Sequence, residues 1–207
     1  MLKALDLFCG LGGWSDGLDL EGFKMLGVEI EPKIAKLYKH DVICADVQTL
    51  DGENFKGFDL IVGSPPCRDF SVIGRLWGHT WKRPPEPKYG LVNIYAFLEF
   101  IKNAHPKYWL MENVSGLQKY LWPARTETYL GIRTMKRCFW GTYPSFLIPQ
   151  TVGKKVYSGM HRYQRDKRKK EGLVIDPTGH YSLSKWKAAK IPLAVARALG
   201  RSIKNNN

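Results

Sequence analysis

Phe58-Asp59-Leu60-Ile61-Val62-Gly63 runs directly into Ser64-Pro65-Pro66-Cys67, and the fold is read outward from this junction. An apolar run of that length, bounded by glycine, reads as a buried strand. Two consecutive prolines lack the N–H that a ladder needs and each fixes φ, so the strand stops there and the turn is stiff. The Cys67 thiol is thereby presented on a rigid elbow at the carboxyl end of a sheet strand, where open α/β folds place their chemistry. A lone cysteine is more often a small buried hydrophobe, but that role needs no such pedestal.

On either side of the junction, short β-like runs alternate with helical stretches, the pattern of a parallel sheet built from βαβ units. Strands are expected over 2–8, 23–28, 42–45 and 58–62, with helices over 14–21 and 32–38. Residues 74–89 are rich in Gly, Pro, Trp and cations and read as a long functional loop. Ile94, Phe97, Leu98 and Ile101 mark one face of a helix over 93–103, ended by Pro106. A fifth strand over 108–111 and a sixth over 136–140 come next. Periodicity fades over 141–185, and a final helix spans 193–203 after Pro192. The expected class is α/β, Rossmann-like, with a mostly parallel twisted sheet and helices on both faces.

The chain of 207 residues can build one well-cored domain, and 44% hydrophobic with 13% aromatic residues excludes a disordered chain. No apolar stretch approaches the ~20 residues of a membrane span. Met1-Leu2-Lys3-Ala4-Leu5-Asp6 carries no long apolar signal region, so an intracellular, cytoplasmic protein is expected. Cys9, Cys44, Cys67 and Cys138 are widely spaced, contain no Cys-x-x-Cys pair and are expected to be free thiols with no metal. The net charge of +13 predicts a polyanionic partner, nucleic acid first. Residues 154–170 hold eight Lys/Arg against one Asp, including Arg162, Arg165, Lys167 and Arg168. Arg68, Trp77, Trp81, Lys82 and Arg83 come after the elbow. In both stretches cations that neutralise phosphates stand among rings that stack on bases.

The first strand leads into Phe8-Cys9-Gly10-Leu11-Gly12-Gly13 and a helix. Glycines at such a turn let backbone approach a ligand closely, and the helix start offers free N–H groups. Alone this is a weak signal. Glu29 ends the second strand, where a carboxylate can hold both hydroxyls of a ribose. Asp46 ends the third, placed to accept from an adenine amino group. Three successive strand ends carrying Gly, Glu and Asp point to an adenosine-containing cofactor. No Gly-x-x-x-x-Gly-Lys-Ser/Thr loop is present, which disfavours triphosphate hydrolysis. The fifth strand ends in Met111-Glu112-Asn113-Val114. Glu112 lies beside Cys67 if the fourth and fifth strands are neighbours, while Asn113 or Ser115 is suited to cap a helix start after the strand. A thiol nucleophile paired with an acid suits conjugate addition to an electron-poor ring.

These segments resemble the cytosine carbon-5 methyltransferases that use S-adenosyl-L-methionine. Asp6-Leu7-Phe8-Cys9-Gly10-Leu11-Gly12-Gly13 is similar to that family's first motif, Gly27-Val28-Glu29-Ile30-Glu31 and Ala45-Asp46-Val47 to the second and third. Gly63-Ser64-Pro65-Pro66-Cys67-Arg68-Asp69-Phe70-Ser71 resembles the nucleophile motif and Met111-Glu112-Asn113-Val114 the acid motif. The resemblance implies that Phe8, Gly10, Leu11 and Gly12 line the cofactor, with Ser64 and Pro65. It further implies that Glu29 takes the ribose, that Ile30, Asp46 and Val47 meet the adenine, and that Leu91 adds a contact. Cys67 then attacks carbon 6 of cytosine while Glu112 assists at ring nitrogen 3. A thiolate is needed, and Arg68 and a helix start after the elbow are expected to favour it. Base flipping precedes chemistry in duplex DNA, with the 74–89 loop a candidate lid.

The second half departs from the family pattern. The stretch from Gly131 to Gly141 resembles the family's arginine motif, which touches the target base and implies a catalytic role for Arg137, but only Arg137 falls in register. Met135 stands where a partner is expected, with Arg133 or Lys136 as substitutes, and the glycine-asparagine motif near the C-terminus is missing. The implied organisation is a catalytic and cofactor-binding domain over 1–140, a short basic target-recognition region over 141–186, and a helix within 187–207 that packs back. Direct readout of several base pairs needs many positioned side chains, so a short or degenerate target, or a separate specificity or restriction partner, is expected of an otherwise monomeric protein. The leading expectation is methylation of DNA at cytosine carbon 5. RNA as the substrate and a catalytically silent nucleic-acid-binding module stand as alternatives.

Overall fold

Seven strands form one sheet in the order β3-β2-β1-β4-β5-β7-β6 in the computed structural model, which describes residues 1–71, 87–129, 136–147 and 190–207. They are β1 (Lys3–Leu7), β2 (Lys24–Glu29), β3 (Asp41–Cys44), β4 (Leu60–Gly63), β5 (Tyr108–Val114), β6 (Thr126–Tyr129) and β7 (Lys136–Thr142). The helices are α1 (Gly13–Asp19), α2 (Pro32–Ala35), α3 (Lys88–Ala104) and α4 (Leu193–Lys204). Strands β1 to β5 pair in parallel, and β7 enters antiparallel between β5 and β6.

The period-two alternation of each strand sends its side chains to two cores. Ala4, Leu60, Val62 and Leu110 face α1 and α4, whereas Leu5, Leu7, Ile61 and Met111 face α3. Burial on both faces is why these strands read as near-continuous apolar runs. Helix α3 contributes Ile94, Phe97 and Ile101 at helical spacing, all buried as expected, and ends at His105 in a left-handed conformation just before Pro106. Helix α4 lays Val195, Ala196, Leu199 and Ile203 against α1. The two axes approach so closely that a methyl group on Gly17 would stand 2.4 Å from the Ala196 Cβ. Arg197 and Arg201 both reach Glu21, at 2.6 and 3.2 Å, and tie the α1–α4 contact at its rim.

Two expectations are corrected. The strand over 136–140 is expected to be the sixth, with no element assigned to 126–129, yet Thr126–Tyr129 forms β6, so the later strand is the seventh of the sheet and extends to Thr142. Helix α2 stops at Ala35 instead of continuing to Tyr38. The ring of Tyr38 turns inward, and its hydroxyl sits 2.5 Å from Ser15 Oγ. Among the described residues no helix is long and apolar enough to cross a membrane. All four cysteines are free, as expected.

Candidate active site and cofactor cleft

Parallel pairing sets Gly63 of β4 beside Met111 of β5, so the elbow and the acid leave the sheet from adjacent strand ends. Beyond Gly63 the chain folds back on itself, the N–H groups of Phe70 and Ser71 both donating to the Cys67 carbonyl at 3.1 Å. Three neighbours lock this turn. Asn113 Nδ2 donates to the Pro65 carbonyl at 3.0 Å, buried from water. The N–H of Gly90 on α3 donates to Asp69 Oδ2 at 2.8 Å. Gly116 lies so close under Phe70 that a Cβ there would stand 1.9 Å from the Phe70 carbonyl oxygen.

Glu112 is 2% exposed, and Arg137 from the start of β7 donates through Nη1 to its Oε1 at 2.7 Å. Burial and the Glu112 carboxylate push the Cys67 thiol up from its ordinary value, while the Arg137 guanidinium pulls it down. The same carboxylate pushes Arg137 up and keeps it charged. Cys67, Glu112 and Arg137 thus act on one another electrostatically, with the thiol protonated at rest. This corrects the expectation of a field that favours the thiolate. The cation serving Cys67 comes across the sheet from β7, whereas Arg68 is exposed in a turn and no helix begins within 68–71. Asn113 and Ser115 do not cap the 3-10 turn over Ser115–Lys119, whose first residues lack a side-chain cap. Asn113 instead fixes the elbow, a role that local sequence does not assign. An amide beside an acid, at the end of the strand neighbouring a Pro-Pro turn, was the available signal.

The residues expected to hold the cofactor assemble at the ends of β1, β2 and β3. Phe8, Gly10 and Gly12 have φ of 59°, 52° and 75°, a left-handed winding that strains Phe8 and suits the glycines. A Cβ on Gly12 would meet the Tyr38 ring at 3.2 Å. Glu29 is 3% exposed, and its two oxygens accept from the N–H groups of Gly10 (3.0 Å) and Glu31 (2.9 Å). Each oxygen keeps a lone pair, so the carboxylate can still take the two hydroxyls of a ribose. Ile30 stands 60% exposed beside it, an apolar surface for a flat ring. Asp46 comes after β3 with one oxygen accepting from Gln48 N at 3.0 Å, and Val47 is buried. Ser64 Oγ accepts from Trp14 Nε1 at 3.1 Å, joining the elbow to α1 beside this turn, and Pro65 is buried. Leu91 lies half-buried in the first turn of α3, and Leu11 is half-buried in the glycine turn. These residues fit a nucleoside. The segment before α4 closes on the turn as well, since a Cβ on Gly13 would stand 2.5 Å from Ile191 N.

Beneath the turn lies a buried network centred on Asp6, the first residue of the glycine-turn motif. Ser15 Oγ donates to Asp6 Oδ2 at 2.6 Å, and Asp6 Oδ1 has no partner among the described residues. Burial pushes the Asp6 carboxyl up to about 7. An aspartate in the middle of an apolar strand is the signal that marks it. Trp77, Trp81, Lys82, Arg83, Arg162, Arg165, Lys167 and Arg168, together with Arg133, Met135 and most of the 141–186 region, lie outside the described residues. No group of His, Cys, Asp and Glu suited to a metal occurs among the described residues.

The family model described as C-5 cytosine-specific DNA methylase matches residues 2–122. The chain is 36% identical over 128 residues to the type II methyltransferase M1.HphI of Haemophilus parahaemolyticus, a match covering 56% of this chain and 33% of that protein. It is 33% identical over 128 residues to the type II methyltransferase M.HindV of Haemophilus influenzae, covering 57% and 39%. The matched stretch spans about a third of the length of these relatives. Among solved structures, the Entamoeba histolytica methyltransferase EhMeth superimposes with a TM-score of 0.51 at 10% identity, over 76% of this chain and 58% of that one. That likeness is one of fold.

Proposed function

The chain belongs to the C-5 cytosine-specific DNA methylases, and from that premise we propose that it transfers a methyl group from S-adenosyl-L-methionine to carbon 5 of cytosine in DNA, through a covalent Cys67 adduct with the base flipped out. The observation that carries this reading is the convergence of Cys67, Glu112 and Arg137 at the ends of three adjacent strands. As the curated relatives are type II methyltransferases, the proposed setting is modification that accompanies restriction.

Glu29 would hold the ribose, Ile30, Asp46, Val47 and Leu91 the adenine, and the backbone of Phe8, Gly10, Leu11 and Gly12, with Ser64 and Pro65, the remainder of the cofactor. S-adenosylmethionine bound there supplies an electrophilic methyl carbon on a sulfonium. Extrusion of the stacked cytosine costs roughly a few kcal/mol, least for a mispaired base. Cys67 sulfur bonds to carbon 6 as its proton passes by way of Glu112 to ring nitrogen 3, which turns carbon 5 into an enamine nucleophile. Arg137 keeps Glu112 in place and favours the thiolate as it forms. After carbon 5 takes the methyl group, its proton leaves to a base and the Cys67–carbon 6 bond breaks as the carbon 5–carbon 6 double bond re-forms. The nitrogen 3 proton returns by way of Glu112 to the departing sulfur, restoring thiol and aromatic ring. We further propose that residues 1–140 carry this chemistry and that the basic 141–186 region, or a separate protein, supplies target readout.

Labelled S-adenosylmethionine, with DNA and RNA offered separately and the nucleosides identified by mass spectrometry, tests the reaction. The expected product is 5-methyl-deoxycytidine. An oligonucleotide bearing 5-fluorocytosine in a verified substrate is expected to remain attached to Cys67, and Cys67→Ser is expected to abolish turnover while retaining the cofactor. Product from RNA alone, or no attachment, refutes the proposal.

A further inference from the structure

The chain between β5 and β6 is anchored along its length yet presents large rings to solvent. Trp122 offers its carbonyl to Trp140 Nε1 at 2.9 Å, Ala124 N donates to Gln118 Oε1 at 3.1 Å, and Arg125 N donates to the Phe139 carbonyl at 2.9 Å. On this fixed backbone the Trp122 side chain is 51% exposed and that of Tyr120 is 42% exposed. Lys119 and Arg125 flank them, both exposed. Neither makes an ion pair with a carboxylate among the described residues, and Arg125 stacks over Tyr143 at 4.4 Å. From Asn113 to Thr126 the sequence has no acidic residue.

Isolated exposed aromatics need no explanation. Two rings and two cations within seven residues, on a backbone already ordered, are a different matter. Their position adds to this. The Tyr120 ring lies 5.9 Å from the ring of Phe70, whose N–H closes the turn on the Cys67 carbonyl. The segment also begins where β5 has just delivered Glu112, and Val114 at its start is in register with Arg137.

We propose that Lys119, Tyr120, Trp122 and Arg125 form a DNA contact face bordering the catalytic strand ends. The rings stack on bases or sugars unstacked by extrusion of the target cytosine, and the cations meet the neighbouring phosphates. The charge of the chain, +13, favours this occupant over an acidic-faced protein surface lacking bases to stack. This inference rests on the proposed DNA methyltransferase reading.

The test uses the full chain with a labelled mixed-sequence duplex containing one mispaired cytosine, the same duplex fully paired, and a matched RNA, each titrated at several salt concentrations. Trp122→Ala and Tyr120→Ala are each expected to weaken binding of the mispaired duplex roughly 5- to 150-fold. S-adenosylhomocysteine affinity and thermal unfolding are expected to stay at wild-type values. Trp122→Phe and Tyr120→Phe restore binding. Lys119→Gln and Arg125→Gln are each expected to lower the slope of log affinity against log salt by about one. Wild-type affinity for DNA in the Trp122→Ala and Tyr120→Ala variants overturns the inference, as does loss of cofactor affinity in parallel with DNA affinity, or loss of RNA affinity alone. If the wild type is nonetheless trapped by 5-fluorocytosine DNA, the methyltransferase reading stands while this face falls. If the wild type binds neither duplex, both fall.

Discussion

Replacing Arg137 by methionine strands a carboxylate. The Glu112 side chain is 3% exposed and that of Arg137 16%, with Nη1 at 2.7 Å from Oε1, so solvent does not take the place of the lost guanidinium. Breaking a buried pair by removing one partner costs about 3–5 kcal/mol, because the surviving charge stays desolvated. For a chain of this size each kcal/mol moves Tm by about 2–4 °C, so Arg137→Met is expected to unfold about 6–20 °C lower than wild type. Adding Glu112→Gln removes the stranded charge, and the double variant is expected to regain most of that stability. Turnover is not expected to return, because the group proposed to move a proton at ring nitrogen 3 is then an amide. Thermal unfolding followed by circular dichroism for the four members of the cycle gives the coupling energy directly. An Arg137→Met protein melting within about 2 °C of wild type, or a double variant less stable than the single one, refutes the claim that this pair is electrostatically sealed.

The remaining predictions concern the thiol, the elbow and the buried aspartate. Because burial and Glu112 push Cys67 up and Arg137 pulls it down, alkylation of Cys67 by iodoacetamide is expected to rise with pH at values above those of an ordinary thiol. Glu112→Gln shifts that profile to lower pH and Arg137→Met to higher pH, and shifts of the opposite sign contradict the assignment. Asn113→Ala frees the buried Pro65 carbonyl and is expected to cost about 1–3 kcal/mol of stability, with kcat reduced and cofactor affinity unchanged. A loss confined to cofactor affinity counts against its role in holding the elbow. The Asp6 carboxyl has its folded value raised from 3.8 to about 7, so the native state holds a proton that the unfolded chain releases. Its contribution is full below about pH 4 and is lost as pH rises through about 7, by up to about 4 kcal/mol for a shift of about three units. Urea unfolding of Asp6→Asn is expected to remove that part of the decline, and an unchanged pH dependence counts against it.

The forces that shaped each element decide how far it was legible in the sequence. Strands β1, β2, β4 and β5 are buried along most of their length, so their apolar runs announce them, and their ends fall within three residues of where the runs stop. Thr126-Glu127-Thr128-Tyr129 gives no such run, because among the described residues β6 pairs with β7 alone and lies at the sheet edge. Its β-forming Thr and Tyr residues were the faint trace of it. The elbow was legible for a local reason, two prolines ending a strand, and so was Glu29 as a strand-end carboxylate.

Long-range geometry escaped. Asn113 reads as a cap from its neighbours and acts as a tether on a carbonyl 48 residues away, a partner no local pattern names. The protonated resting state of Cys67 escaped for the same reason. Arg68 is adjacent in sequence and exposed, whereas Arg137, seventy positions on, is brought to the thiol by the antiparallel insertion of β7. The strand order therefore does more than stack the sheet. By inserting one reversed strand between β5 and β6, it delivers a cation to a carboxylate and a thiol that the parallel strands had already brought side by side. Any rearrangement that kept β1 to β5 but lost β7 would leave the half-buried Cys67 thiol and the buried Glu112 carboxyl adjacent, neither stabilised in its charged form.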